Sequence, residues 1–190
     1  MSGKSANRTK NELISLSRTV SHALRHAPDE YGMRLDRLGW IEIPVLLQAL
    51  GKRSKRWEGL SEDDLIAMAG AGEKQRYEFE GSRIRAIYGH SIPGPIEYVE
   101  AVPPDILLHG TTSEFAALIL EQGLKSMKRQ YVHLSAEQDT AREVALRRTE
   151  HPVLLRIDAK AAYEVGTKFY RGNEKVWLAT YIDSKFISEK

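Results

Sequence analysis

Two clusters of proline and glycine lie close together near the middle of this 190-residue chain. Pro93-Gly94-Pro95 is followed shortly by Pro103-Pro104, and proline both fixes its own φ and disfavours helix in the residue before it. Few contacts cross such a segment, so it is a typical place for a domain boundary. We therefore expect two small domains, residues 1–95 and 96–190.

The composition excludes several classes of protein. The chain has no cysteine, which rules out a disulfide scaffold, a zinc finger and a thiol nucleophile. Its six histidines lack the spacing of a metal site, so we expect no metal. No apolar run reaches the ~18 residues of a membrane helix, and the first ten residues are polar, unlike a signal peptide. We expect a cytoplasmic protein without a membrane partner.

Charge is nearly balanced, with 28 Lys and Arg against 26 Asp and Glu, a net of +2. Basic residues nevertheless cluster locally, as in Arg53-Ser54-Lys55-Arg56, and polyanion binding depends on local charge. Such a run is also typical of a solvated loop. The charge pattern permits a nucleic-acid partner without requiring one.

The first half opens with a predicted helix. Its apolar residues recur every three or four positions, at Leu13, Leu16, Val20 and Leu24. The helix ends before Pro28, because residues preceding proline leave the helical region. Arg25 and His26 therefore lie at or just past its C-terminus.

Further helices and a hairpin follow. Trp40–Ile43 predicts a short strand, and Pro44 suits the first turn of a second helix. Ser61 with Asp64 resembles a capping box that opens a third helix. The alternating runs 76–80 and 83–88, separated by Gly81-Ser82, then predict a β-hairpin. Helices followed by a hairpin describe a winged-helix-like module, although a fold alone does not decide function.

The second half predicts short strands with few helices between them. The predicted strands are 106–109, 131–135, 153–157 and 175–182. Thr111 with Glu114 resembles a capping box for a helix that ends at Gly123, and Thr140–Arg148 predicts another helix. This pattern favours a split α+β sheet over a doubly wound one.

Several polar residues stand out from these elements, and each also has a structural explanation. They are Arg25-His26, Arg85 with His90 and Ser91, His109 with Thr111, His133 with Ser135, and Arg147-Arg148. Basic residues late in a helix complement its dipole, a strand arginine is usually solvated, and a histidine at a strand end is commonly structural. The chain lacks the GxGxxG and GxxxxGK[ST] motifs. A phosphorylated substrate would therefore be held by arginines, whose planar guanidinium matches phosphate.

Taken in order, these segments resemble the RNA 2′-phosphotransferase family, from about Leu16 to Leu178. The most specific segment is Ile84–Ser91, IRAIYGHS. Other matching segments are Leu24-Arg25-His26, Gly39-Trp40, Leu108-His109-Gly110-Thr111 and Arg129–Ser135. Any one of them is a weak signal, whereas five in the same order rarely coincide.

The resemblance implies an α+β protein with a winged-helix-like RNA-binding lobe, residues 1–95, and an ADP-ribosyltransferase-like split β-sheet lobe that holds NAD⁺, residues 96–190. It implies NAD-dependent removal of an internal RNA 2′-phosphate of the kind left at a tRNA splice junction. The 2′-phosphate attacks C1″ of the nicotinamide ribose and expels nicotinamide, leaving a 2′-phospho-ADP-ribosylated RNA. The ribose O2″ then attacks phosphorus, which releases RNA with a 2′-OH and ADP-ribose 1″,2″-cyclic phosphate.

The family's catalytic residues correspond here to Arg25, His26, Arg85 and Arg147. The arginines would stabilise phosphoryl oxygens, mainly in the second step, and His26 would transfer a proton, since imidazole titrates near neutral pH. The family commonly has Ser-Gly before the last arginine, whereas Val144-Ala145-Leu146 precedes Arg147 here. Arg148 is therefore an alternative for the fourth role.

The resemblance also implies binding residues. Contacts to the RNA substrate would come from Arg25, Arg85, His90, Ser91 and Arg147. Contacts to NAD⁺ would come from His109, Gly110, Thr111, His133 and Ser135, with Gly110 letting the backbone approach the cofactor.

Two other functions stay open. The same pocket would cap terminal phosphates of RNA or DNA with ADP-ribose if the second step were slow. A winged-helix nucleic-acid binder whose second lobe senses a nucleotide would instead bind NAD⁺ tightly without releasing nicotinamide. No coiled-coil pattern or long apolar edge calls for a second copy, so we expect a monomer.

Overall fold

A computed structural model of the chain covers residues 8–72 and 74–190. The fold is α+β and divides into two compact units, Met1–Glu97 and Tyr98–Lys190. The boundary predicted after Pro95 differs from this division by two residues, since the first unit ends at Glu97. The polar segment 1–10, from which we expected no signal peptide, lies mostly outside the covered residues.

The first helix, α1 (Lys10–Arg25), confirms the helical spacing read from the sequence. Thr9 caps it in a capping box with Glu12, and His26 is its C-cap residue. Three of the four periodic apolar residues, Leu16, Val20 and Leu24, are fully buried, and Leu13 packs against them at the edge of the core. The burial of one face fixes the position of α1, and with it the position of Arg25 in the last turn of the helix.

Two short elements follow a 3₁₀ turn at Pro28–Tyr31: strand β1 (Ile41–Glu42) and helix α2 (Ile43–Arg53). The strand is shorter than the predicted Trp40–Ile43, because α2 already begins at Ile43 with a proline in its first turn. A second 3₁₀ turn, Lys55–Trp57, precedes α3 (Glu62–Gly70). The predicted capping box that opens α3 is confirmed.

The predicted hairpin is also confirmed, as β2 (Tyr77–Glu80) and β3 (Arg83–Ala86). The sheet has the order β1-β3-β2, and both pairings are antiparallel. Glu78 faces Arg85 in the hairpin, and Glu80 faces Arg83. The three helices and this sheet enclose a core that includes Leu16, Leu24, Ile43, Leu46, Leu50, Leu65 and Ile84.

The second unit contains eight strands and three α-helices in the covered part of the chain. The strands are β4 (Ile106–Thr111), β5 (Leu124–Lys125), β6 (Val132–Ser135), β7 (Val153–Asp158), β8 (Phe169–Arg171), β9 (Val176–Ala179), β10 (Tyr181–Ile182) and β11 (Ile187–Glu189). The helices are α4 (Ser113–Gln122), α5 (Gln138–Ala145) and α6 (Ala159–Glu164), with a 3₁₀ turn at Ser184–Phe186.

Six of these strands form one antiparallel sheet in the order β11-β7-β4-β6-β9-β8, while β10 pairs with β5. The central strands β4 and β6 meet through the pair Leu108–Ser135. By contrast, β4 pairs with β7 along its whole length, and β6 pairs with β9 at four positions. The sheet thus consists of two three-stranded halves joined at one residue pair.

Four sequence predictions for this unit need correction. The strand predicted to end at His109 continues through Thr111, because Thr111 pairs with Val153 in the neighbouring strand. Thr112, not Thr111, caps α4 by accepting a hydrogen bond from Phe115 N.

The other two corrections concern element ends. The predicted helix Thr140–Arg148 stops at Ala145, so the paired arginines lie in the turn that follows it. The predicted strand 175–182 is two strands, because β9 pairs with β6 and β8 while β10 pairs with β5.

The covered residues also bear on membrane and metal binding. None of the helices formed by residues 8–72 and 74–190 combines the length and apolar character that a bilayer crossing requires. Within the same residues, no group of three or more His, Asp or Glu side chains is arranged to hold a metal ion.

Candidate active site

The end of α1 is tied to the segment that follows the hairpin. The backbone N–H of Ser91 donates to the carbonyl of Arg25 over 2.9 Å. The Nδ1 atom of His26 lies 2.8 Å from Ser91 Oγ in a second hydrogen bond. The last residue of α1, its C-cap residue and Ser91 are therefore fixed side by side.

Two neighbours hold the Arg25 guanidinium. Its Nη2 donates to the carbonyl of Arg76 over 3.1 Å, and its charge lies 5.7 Å from the ring centre of Tyr88. Gly89 lies beside it, and a Cβ there would be in ordinary van der Waals contact with Arg25 Nη1 at 3.5 Å. Gly89 also has φ +92°, a conformation that other residues rarely adopt.

Arg85 projects from β3 and is held on several sides. Its Nε and Nη2 donate to Glu78 Oε2 over 2.8 and 2.6 Å, and its Nη1 donates to the carbonyl of Leu38 over 3.2 Å. The guanidinium carbon also lies 4.5 Å from the ring centre of Trp40, a cation–π contact. Three of the five N–H donors of Arg85 are thus engaged, and the side chain is half-buried.

His90 lies among these cations. Its imidazole is 2% exposed, and burial lowers its pKa to about 4, with further lowering by the positive charges of Arg25, His26 and Arg85. His90 is therefore neutral at physiological pH. The direct substrate contact predicted for His90 stays a prediction.

The structure therefore brings together every candidate residue of the first unit. They are Arg25, His26, Arg85, His90 and Ser91. Two arginines and a second histidine thus surround a neutral imidazole, which makes this cluster the candidate site for an anion.

In the second unit, the candidate residues lie where the two halves of the sheet join. His109 and Thr111 are on β4, and His133 and Ser135 are on β6. The Nδ1 atom of His109 lies 3.0 Å from the carbonyl oxygen of His133. Thr111 and Ser135 are both buried polar residues.

The protonation state of His109 follows from its surroundings. Burial lowers its pKa, the hydrogen bond to the His133 carbonyl raises it, and the charge of Arg148 lowers it again, for a net lowering. The neutral ring must carry its proton on Nδ1, because a carbonyl oxygen only accepts. The Nε2 atom of His109 is therefore a hydrogen-bond acceptor.

Gly110 lies at a close packing contact between α5 and β4. A Cβ at this position would lie 2.0 Å from the carbonyl oxygen of Ala141 and 3.0 Å from Ala145 Cβ. Helix α5 packs directly on β4 here, so only glycine fits. This packing alone accounts for the missing side chain, and the cofactor contact predicted for Gly110 stays a prediction.

The two candidate arginines at the end of α5 are both exposed and lie in the turn after Ala145. The backbone N–H of Arg148 donates to the carbonyl of Ala145 over 2.9 Å, which closes this turn. The charge of Arg148 acts on His109. Arg148 therefore belongs to the surroundings of the candidate cofactor site, and both arginines stay candidates for the fourth role.

Sequence reasoning missed two residues that position Arg85: Glu78 and Trp40. The Glu78 contact could have been predicted from the sequence, because a hairpin with a two-residue loop at Gly81-Ser82 places Glu78 opposite Arg85. The Trp40 contact depends on how β1 pairs with β3, which no local pattern specifies.

Comparison with known proteins decides the family. Residues 11–181 match the family described as RNA 2'-phosphotransferase, Tpt1 / KptA family. The chain belongs to this family. The match includes both clusters described above, since every candidate residue from Arg25 to Arg147 lies within it.

Individual members of the RNA 2′-phosphotransferase family are similar along most of the chain. A probable RNA 2'-phosphotransferase of Acetivibrio thermocellus is 50% identical over 172 residues, which cover 90% of this chain and 94% of the relative. One from Bacillus thuringiensis subsp. konkukian is 47% identical over 174 residues, covering 92% and 94%. A third, probable RNA 2'-phosphotransferase 1 of Archaeoglobus fulgidus, is 38% identical over 182 residues, covering 95% and 82%.

Proposed function

We propose that this chain is an NAD⁺-dependent RNA 2′-phosphotransferase that removes an internal 2′-phosphate of the kind left at a tRNA splice junction. Its products would be RNA with a 2′-OH, nicotinamide and ADP-ribose 1″,2″-cyclic phosphate. The observation that carries this proposal is the cluster of Arg25, His26 and Arg85 around the buried His90, in a chain of this family. A 2′-phosphate is a compact dianion, and such a cluster suits it.

The proposed reaction has two displacements that balance without water. In the first, a 2′-phosphate oxygen forms a bond to C1″ of the nicotinamide ribose, and the bond from C1″ to nicotinamide breaks. In the second, the ribose O2″ gives up its hydroxyl proton and forms a bond to phosphorus, the bond from phosphorus to the RNA O2′ breaks, and O2′ takes up a proton.

The arginines of the first unit would act mainly in the second displacement. Negative charge then concentrates on the phosphoryl oxygens, and preorganised donors stabilise it best. Arg85 suits this role because Glu78, Leu38 and Trp40 restrain its guanidinium while two N–H donors remain for a phosphate. Arg25 is restrained by Arg76 and Tyr88.

His26 would transfer the proton. Its Nδ1 is bonded to Ser91 Oγ, which orients the ring at the end of α1. A positioned imidazole that exchanges a proton with O2″ or with the departing O2′ contributes typically 10²–10⁴-fold. The neighbouring His90 does not suit this role, because a pKa of about 4 makes its imidazole a weak base near neutral pH.

The second unit would hold NAD⁺ at the join between its sheet halves. NAD⁺ supplies the electrophilic ribose carbon. The residues fit a dinucleotide for two reasons. The two halves of the sheet are joined at one residue pair, which leaves strand edges for a ligand. The neutral His109 ring offers Nε2 as an acceptor to a ribose hydroxyl or an amide N–H. Thr111, His133 and Ser135 add polar groups beside it, and Arg147 or Arg148 adds positive charge.

The two units would thus be the winged-helix-like and ADP-ribosyltransferase-like lobes. Three helices with a three-stranded antiparallel sheet support the first assignment. The six-stranded sheet with a weak central join supports the second. The cytoplasmic location and the monomeric state stay predictions from the sequence.

The proposal is tested by incubating an internally 2′-phosphorylated oligonucleotide with and without NAD⁺ and separating the products by chromatography. We expect dephosphorylated RNA, nicotinamide and the cyclic phosphate only with NAD⁺. Phosphate loss without NAD⁺ would identify a plain phosphatase. A terminally ADP-ribosylated oligonucleotide without cyclic product would identify a capping enzyme, and NAD⁺ binding without nicotinamide release would identify a sensor.

Variants in the same assay test the residue roles. Arg85→Ala is expected to slow the second displacement by about 10²–10³-fold, the cost of removing one transition-state donor. ADP-ribosylated RNA should therefore accumulate. An Arg25→Ala enzyme with full activity would remove the central assignment.

A further inference from the structure

A tight turn immediately before β1 is held closed by the side chain of Asp36. Its Oδ1 atom accepts hydrogen bonds from the backbone N–H groups of Leu38 and Trp40, each over 2.9 Å. The backbone N–H of Asp36 donates to the carbonyl of Trp40, and that of Gly39 donates to the carbonyl of Asp36, both over 3.0 Å. Gly39 has φ +82°, which glycine adopts without strain. One exposed carboxylate therefore fixes the path of the backbone over residues 36–40.

This turn, residues 36–40, supplies two of the contacts that hold Arg85. The Leu38 carbonyl accepts the hydrogen bond from Arg85 Nη1 over 3.2 Å, and the Trp40 ring centre lies 4.5 Å from the guanidinium carbon. Trp40 is buried, and both of its backbone hydrogen-bonding groups are bonded to Asp36. Asp36 therefore sets the positions of the carbonyl and the ring that meet Arg85.

The contacts from the turn complement those from Glu78. Both hydrogen bonds between Arg85 and Glu78 end on the same carboxylate oxygen, Oε2. By themselves they leave the guanidinium able to rotate about that oxygen. The turn removes this freedom, because it engages a third nitrogen through Leu38 and one face of the guanidinium through Trp40.

We propose that Asp36 is a positioning residue for the second displacement: by closing the turn, it aims the guanidinium of Arg85 at the phosphate. This inference rests on the proposed function, because it takes phosphoryl transfer as the step that Arg85 assists. Donors stabilise a transition state most when they need not reorient as its charge develops. Asp36 does not take part in the chemistry and acts through Leu38 and Trp40.

Single-turnover reactions of a 2′-phosphorylated oligonucleotide with NAD⁺ test this role, because they resolve nicotinamide release from the decay of ADP-ribosylated RNA. In Asp36→Ala we expect the second displacement to slow by about 10- to 100-fold, as for a catalytic group displaced by up to about 1 Å. Nicotinamide release should keep its wild-type rate. A loss of folded protein would slow both steps alike, so equal slowing of the two steps would overturn the inference.

Two further variants separate the turn from other effects of the substitution. Asp36→Asn removes the charge but keeps an oxygen that accepts both hydrogen bonds, so it should retain the wild-type rate. Asp183→Ala is the matched control, because Asp183 Oδ1 accepts a bond of the same kind from Lys185 N, over 3.1 Å, in the second unit. This variant should also retain the wild-type rate. The inference fails if Asp36→Asn is as slow as Asp36→Ala, or if Asp183→Ala accumulates the same intermediate.

A double variant shows whether Asp36 acts through Arg85. In an Arg85→Ala background, Asp36→Ala should slow the second displacement no further, because the group that the turn positions is gone. Further slowing by the same factor as in the wild-type background would mean that Asp36 acts on another group, contrary to the inference.

An NMR measurement tests the inference even if the proposed function fails, that is, if the wild type forms no NAD⁺-dependent product. The ring current of Trp40 shifts the signal of the Arg85 Nε–H proton, which is assigned by its loss in Arg85→Ala. Asp36→Ala should move this signal away from its wild-type position, whereas Asp36→Asn and Asp183→Ala should leave it in place. An unmoved signal in Asp36→Ala would show that the turn does not position Arg85.

Discussion

Glu78 faces Arg85 across the β2–β3 hairpin, and one of its carboxylate oxygens accepts hydrogen bonds from both Nε and Nη2 of the guanidinium, over 2.8 and 2.6 Å. Glu80 and Arg83 form an ion pair at the next facing position. The Arg83 side chain is 39% exposed, against 23% for Arg85. The hairpin therefore carries two ion pairs of the same type, of which the less exposed one holds a candidate catalytic residue.

This relationship predicts a positioning role for Glu78. Glu78→Gln removes the charge that restrains Arg85, and a catalytic group displaced by about 1 Å costs on the order of 10²-fold. We expect the second displacement to slow by about 10- to 100-fold, with ADP-ribosylated RNA accumulating in single-turnover reactions. Glu80→Gln is the matched control and should change this step by less than about twofold, since exposed ion pairs contribute little. Equal effects of the two variants would contradict the role.

The burial of His90 predicts a pH-dependent stability. Its pKa of about 4 in the folded protein lies below the ordinary value of 6.5, so the unfolded chain binds the proton first as pH falls. The contribution of His90 is fully present above pH 6.5 and is lost through the window from 6.5 to about 4. Between pH 7 and 5 this group alone should lower the free energy of unfolding by about 2 kcal/mol.

Urea titrations of the wild type and of His90→Gln across this pH range test the effect. The glutamine variant keeps a polar side chain but has no ionisable group, so its unfolding free energy should fall less on acidification, by about 2 kcal/mol. The carboxylates of the protein contribute equally to the wild type and to the variant, so their effects cancel in the difference. Parallel pH profiles for the two proteins would show that His90 is not the group responsible.

The two arginines after α5 are predicted to differ. If Arg147 is the fourth catalytic residue, Arg147→Ala slows the second displacement by about 10²–10³-fold, and Arg148→Ala has a much smaller effect. Arg148→Ala should instead raise the pKa of His109, because it removes a positive charge that disfavours the imidazolium. Activity assays and an NMR titration of His109 separate these effects. The reverse pattern of activity would assign the fourth role to Arg148.

Gly110 is predicted to be required for folding of the second unit. Its Cβ position lies 2.0 Å from the Ala141 carbonyl oxygen, so Gly110→Ala must displace α5 from β4. We expect a cost of about 3 kcal/mol or more in thermal or urea unfolding, the upper range for overpacking. Gly70→Ala is the control. No atom lies within 4 Å of its Cβ position, and alanine favours the end of α3. A Gly110→Ala protein as stable as Gly70→Ala would contradict the packing.

The local parts of the fold were predictable because the interactions that specify them span a few residues. The one-sided apolar spacing of α1 and the capping box of Ser61 with Asp64 require only neighbours in the chain. The alternating runs around Gly81-Ser82 set the hairpin register in the same way. Short elements such as β5, β8 and α6 were missed, since two to six residues carry too little periodicity.

In the candidate site, too, some features could be predicted from the sequence and others could not. The order of segments along the chain identified Arg25, His26, Arg85 and the two histidine-bearing strands, because a family is recognised by residue types and their sequence order. The order of segments does not show that His90 is buried beside Arg25, His26 and Arg85, or that Arg148 acts on His109.

The sequence by itself determined where α1 ends, how the hairpin pairs and which side chains are candidates for phosphate chemistry. Tertiary structure alone decided that Gly110 serves the packing of α5 and that one residue pair joins the sheet halves. It also decided that the turn at Asp36 supplies two of the contacts that hold Arg85. The physical reason is the separation along the chain between the residues that interact. Capping and periodicity act between neighbours in the chain, whereas burial, clashes and charge interactions depend on residues that only folding brings within a few ångströms.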